Sequence, residues 1–130
     1  MKLECTADPR AWAEVCDVWT RKLVREFADI VGRDMPLYDS VPKDEDEAKA
    51  RQAEYAAAVQ QRVDDLAAYY RRVVKNAHMV DAEGNELAGL DAILSADMDG
   101  VDAAVTNWWA GLPYLAYYER QKMGEAKRVN

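Results

Sequence analysis

Histidine occurs once, phenylalanine once and cysteine twice in this chain, and no run of about 18 apolar residues, the length needed to span a bilayer, is present. Each scarcity removes a class of function. A lone imidazole, His78, cannot supply a paired-histidine zinc site, and neither a Gly-rich phosphate loop nor a Gly-x-Ser-x-Gly elbow occurs. Cys5 and Cys16 have no second pair and no neighbouring histidine to complete a zinc set. Reduced thiols, buried or half-buried, are the expected state, with a disulfide as the alternative. The stretch Met1 to Asp8 lacks the apolar core of a signal peptide, so a cytoplasmic protein with no membrane partner is expected.

Basic residues are also in deficit. Against 24 acids stand 17 Lys and Arg, a net charge of -7, and a polyanion held by counterion release is thereby disfavoured. No nucleic-acid partner is expected. What is abundant is alanine. Half of the 130 residues are apolar, which is enough for one core built from Leu, Val, Tyr and Trp with helices packed closely through alanine.

The periodicity points to helices. Asp8-Pro9 offers an N-cap and a first-turn proline, and Trp12, Val15, Cys16, Trp19, Leu23, Phe27 and Ile30 recur at three-to-four spacing, predicting one helix to Gly32. A competing reading pairs a strand over Ala11 to Trp19 with Lys2 to Thr6 and starts the helix at Thr20. Two prolines make Arg33 to Val41 a connector with docked apolar side chains, Leu37 and Tyr38 among them. Ser40 or Asp44 then opens a helix whose first turn is acidic. From Glu47 to Ala77 there is no Gly or Pro, and Tyr55, Val59, Val63, Leu66, Tyr70, Val73 and Ala77 form a single stripe.

Asp81 to Asn85 supplies turn formers, with Gly84 free to take a positive φ, between what can be two very short strands. Leu87, Leu90, Ile93 and Leu94 predict a short helix, and Val101, Val105, Trp108 and Trp109 another. Gly111-Leu-Pro113 interrupts the chain before a last helix over Tyr114 to Met123. The expected architecture is all-α, four to five helices around one long one in a single domain over 1–123, with a frayed polar tail over 124–130. A short N-terminal hairpin is its alternative.

Three local patterns could carry chemistry. Asp97, Asp99, Gly100 and Asp102 resemble part of a calcium loop, but the closing twelfth position is Trp108, so caps around a turn are expected. His78 falls near the end of the predicted long helix, the usual place of a capping residue. No catalytic, cofactor or metal residue is assigned. Trp108, Trp109, Tyr114, Tyr117 and Tyr118 remain, five large aromatics in eleven residues. Adjacent tryptophans cannot share one helical groove, so this segment is the candidate partner-binding surface, with added core bulk as its alternative.

Two stretches resemble the tail assembly chaperones of long-tailed bacteriophages, small non-virion proteins encoded ahead of the tape measure gene. Trp19-Thr-Arg-Lys-Leu-Val-Arg-Glu-Phe27 is similar to the segment that opens their first helix, and Val80-Asp-Ala-Glu-Gly-Asn-Glu-Leu87 to the Asp-x-x-Gly turn before their C-terminal helices. The segment Trp108 to Tyr118 departs from that pattern. The resemblance implies a non-enzymatic chaperone that shields apolar helical segments of the tape measure protein and helps tail tube protein assemble around it. A structural virion component such as a head-tail connector subunit, or a small helical adaptor, is the alternative. Self-association stays open.

Overall fold

The computed structural model describes residues 1–36 and 41–129, with side chains described through 124. Leu37, Tyr38 and the alternative cap Ser40 therefore lie outside the described residues. In chain order the elements are β1 (Lys2–Glu4), β2 (Trp12–Val15), α1 (Arg21–Val31), α2 (Glu45–Val73), β3 (Val74–Val80), β4 (Glu86–Ala88) and α3 (Leu90–Ser95), then a 3₁₀ turn (Met98–Gly100), α4 (Ala103–Ala110) and α5 (Leu112–Val129).

The four strands form one antiparallel sheet in the order β1-β2-β3-β4. With 58% helix and 14% strand, the chain is a mixed α and β fold, and the all-α expectation is corrected. The N-terminal helix from Asp8 is replaced by the β1-β2 hairpin with Leu3 opposite Ala13. Burial along β2 has the period of a strand: Ala11, Ala13 and Val15 are fully buried while Glu14 is exposed. Helix α1 starts after Thr20, whose hydroxyl accepts the Leu23 N–H at 3.2 Å.

The long helix is present, but its last four expected residues belong to β3. A β-bulge explains the misreading. Val15 pairs with Val74 and Glu14 with Asn76, so Lys75 is an extra residue in the ladder. The extra residue turns Ala77 to the buried side, four positions after the buried Val73 at the end of α2, and the two thereby imitate the helical interval. Beyond the bulge, strand alternation resumes with His78 half-exposed and Met79 fully buried. At its other end α2 is capped by Asp44, which accepts the Glu47 N–H at 2.8 Å, while the Glu47 carboxylate accepts the Lys43 N–H at 2.6 Å.

The turn over Asp81 to Asn85 joins β3 to β4 as the residue types require: Gly84 has φ +87°, and the Asp81 carboxylate accepts the N–H groups of Glu83 and Asn85. Leu87, expected in a helix, pairs with Met79 in β4, and Gly89 at φ +95° redirects the chain into α3. Helix α5 runs on through Gly124 to Val129, across the segment expected as a polar tail.

Helix α3 packs on β3 and β4, and α1 packs on α2 and α5. The core joins the inner sheet face to Phe27, Tyr69, Tyr70, Val73, Ile93, Val105, Trp109, Leu112 and Ala116. Two phenols are spent on backbone. Tyr69 donates to Leu23 O at 2.8 Å, and Tyr70 to Trp109 O at 2.6 Å. Burial pushes both hydroxyls above the ordinary tyrosine value, so they stay protonated as donors. No described helix is long and apolar enough to cross a membrane.

Candidate functional site

Helix α2 spans 29 residues, about 44 Å, yet has no buried residue before Tyr69. Its apolar stripe therefore divides in two. Tyr70 and Val73 enter the core, whereas Tyr55 and Val63 are about half exposed, at 44% and 52%. Stripes of this kind ordinarily exist to be covered.

At the boundary between the two halves, α2 forms one wall of an apolar groove. The wall consists of Val63, Leu66, Ala67 and Tyr70; Ile93, Leu94 and Ala96 from α3 and its C-cap, Met98 of the 3₁₀ turn, and Thr106, Trp109 and Ala110 of α4 complete a cavity of about 280 Å³. Its wall carries two hydroxyls: that of Thr106 donates to Asp102 O at 3.2 Å and that of Tyr70 to Trp109 O. Both hydroxyls are thus committed to backbone carbonyls, and most of the remaining wall is apolar. What it can do is bury apolar side chains.

Acids flank this groove. Ala96 and Met98 in its wall alternate in sequence with Asp97 and Asp99, Asp102 caps α4, and the Asp91 side chain is 89% exposed, 3.6 Å from Arg71. The calcium-like acids act as local caps: Asp97 accepts the Asp99 N–H and Asp102 the Ala104 N–H. Among the described residues, no three His, Cys, Asp or Glu side chains gather as a metal-holding group.

The aromatic segment is not one surface. Trp109 is buried, stacks on Tyr70 at 4.8 Å between ring centroids and forms part of the groove. Trp108 is half-buried and belongs to a different cavity beside β1, with its indole N–H buried and unpartnered. Tyr114 and Tyr118, one turn apart on α5, are exposed at 47% and 59%; Tyr114 meets Phe27 edge-on, and Lys122 lies over Tyr118. Tyr117 is half-buried and its hydroxyl accepts from Arg21 Nε at 3.4 Å.

His78 is not at a helix end. It sits on the outer face of β3, stacked with Trp12 at 6.1 Å, with Nδ1 2.6 Å from Arg10 O and Nε2 3.7 Å from Glu86. Cys5 is buried and Cys16 half-buried, and both are free. Burial pushes the Cys16 thiol above its usual range, leaving it protonated and unreactive at neutral pH.

Sequence reasoning missed Leu66, Ile93, Leu94 and Met98 as groove residues. The available signal was the length of the α2 stripe, seven apolar positions from Tyr55 to Ala77. Comparison with protein-family models, curated proteins and solved structures finds no match.

Proposed function

We propose that this chain is a non-enzymatic assembly chaperone that holds an apolar helical segment of another protein against α2. The observation that carries the reading is the apolar groove at Leu66 and Trp109 that continues into the exposed Val63 and Tyr55, with the half-buried Val59 between them. An amphipathic helix laid there buries its own apolar face, the ordinary mode of helix-in-groove recognition. The flanking acids and the net charge of -7 favour a client with basic residues beside its apolar stripe.

The named client, the tape measure protein of a long-tailed phage, with tail tube protein displacing the chaperone later, rests on the resemblance of Trp19 to Phe27 and Val80 to Leu87. Co-expression with tape measure fragments tests it: the fragment is expected to stay soluble and to co-purify. Val63→Asp should weaken capture by about 1–3 kcal/mol, the value of an interface anchor, with little change in melting, because Val63 is already 52% exposed. A fragment that aggregates regardless of the chaperone overturns the client. Stable rings formed by the chain alone would favour the connector-subunit reading instead.

A further inference from the structure

Strand β1 is one edge of the sheet and β4 the other. Met1 and Val15 exchange both backbone hydrogen bonds, at 3.1 and 2.8 Å, and the Cys5 N–H reaches Ala11 O at 2.9 Å. Antiparallel partners alternate between bonded and non-bonded pairs, so Leu3 is the bonded partner of Ala13. The N–H and C=O groups of Lys2 and Glu4 consequently point away from β2. Among the described residues nothing takes them. Alongside lies a cavity of about 530 Å³ bounded by Leu3, Thr6, Trp108, Leu115 and Glu119, and the buried Trp108 N–H in its wall has no acceptor.

We infer that this edge pairs with the same edge of a second copy, antiparallel about a two-fold axis through Leu3, joining two sheets into one. The sequence of the strand is self-complementary under that operation. Lys2 falls opposite Glu4 of the second copy and Glu4 opposite its Lys2, and these are the residues whose backbone groups are turned outward to bond. Lys2 Nζ lies 3.8 Å from Glu4 Oε1 of its own chain, and across the two-fold axis each also faces the opposite charge of the second copy on the exposed side, where both side chains are more than half accessible. On the helix side Leu3 lies at the two-fold axis but is only 6% exposed within its own chain, so the pairing rests on the outward backbone groups of Lys2 and Glu4 and on their charges. A lysine on a short edge strand ordinarily discourages pairing. Here Glu4, two residues on, converts that lysine into one half of a matched pair. An unrelated extended peptide has no reason to carry the complementary order, which is why the second copy is the occupant.

Sedimentation velocity of the full chain over a range of concentrations is the test. A reversible species at twice the 14.7 kDa of one chain is expected. Glu4→Pro removes only an outward N–H, leaves the β1-β2 ladder intact and should abolish the dimer with unchanged circular dichroism. Lys2→Glu places like charges opposite each other twice and should weaken dimerisation roughly tenfold. The double exchange Lys2→Glu with Glu4→Lys should restore it to within about threefold. The charge variants need no assumption about tolerance of proline. A chain that stays monomeric up to about 100 µM overturns the inference. So does a dimer indifferent to Lys2→Glu and Glu4→Pro, which would place the contact on another face, the α2 stripe included.

Discussion

Removing one hydroxyl at Tyr70 should cost more than its size suggests. The Tyr70 hydroxyl donates at 2.6 Å to Trp109 O, and that carbonyl lies in the last turn of α4, where helix carbonyls lack partners in the ladder. Its backbone alternative is a share of the Gly111 N–H, whose closer match is Asn107 O at 3.1 Å. Tyr70→Phe thus leaves a buried acceptor unanswered, a loss of about 1–3 kcal/mol. For a chain of 130 residues this is roughly 4–11 °C in Tm. Tyr69→Phe is the internal control. Its acceptor, Leu23 O, is already used by the α1 ladder, so about 0.5–1 kcal/mol is expected there. Thermal melts followed by circular dichroism decide the matter. The pH dependence adds a second handle: because burial raises both phenols, their contribution is complete below about pH 10 and declines as pH rises above it. Tyr70→Phe should flatten that alkaline decline. Equal melting for Tyr69→Phe and Tyr70→Phe would refute the reasoning about the α4 terminus.

Leu66→Ala should cost about 1–2 kcal/mol, below the usual range for a buried leucine, because Leu66 is half-buried at the groove; a denaturant midpoint shift measures it. At acid pH the sign reverses from the tyrosine case: hydrogen bonds from Arg33 to Asp65 and from the Asn85 backbone to Asp81 hold both carboxyls below their ordinary values, so their stabilisation is present above about pH 4 and is lost as pH falls. An acid titration by circular dichroism should show Asp81→Asn less sensitive than the parent. Excess chelator should leave Tm unchanged, and a drop of several degrees would reveal a bound metal. Hydrogen exchange should be fast through the first half of α2 and slow at Tyr69 to Val73; uniform protection along the helix would contradict its uncovered state.

Local chemistry was more legible in the sequence than the long-range pairing of strands. The turn at Asp81 to Asn85, the Asp102 cap and the body of α2 follow from residue types within a few positions of each other. The sheet does not. Its central pair joins Trp12–Val15 to Val74–Val80, two segments with nearly half the chain between them and carrying alanines where a strand usually carries bulk. Ala13 opposite Ala77 contributes almost no hydrophobic signal, and the Lys75 bulge replaces alternation with an interval that suits a helix. The aromatic segment shows the same limit. That Trp108 and Trp109 diverge was readable from their adjacency, but which one reached the groove depended on α2 arriving beside α4.

Helix α2 passes into β3 without a loop: Val73 ends one and Val74 begins the other, and both are buried. A hinge needs residues free to change φ and ψ, and this junction has none to spare. Swinging the far end of α2 would require breaking the pairing of Val74 with Val15 and drawing two valines out of the core. The helix behaves accordingly as a cantilever whose fixed end is the middle of the sheet. Whatever is carried near Tyr55 is held at a constant angle to that sheet, and a load applied there passes along the groove wall from Val63 to Tyr70 before it reaches the central strand.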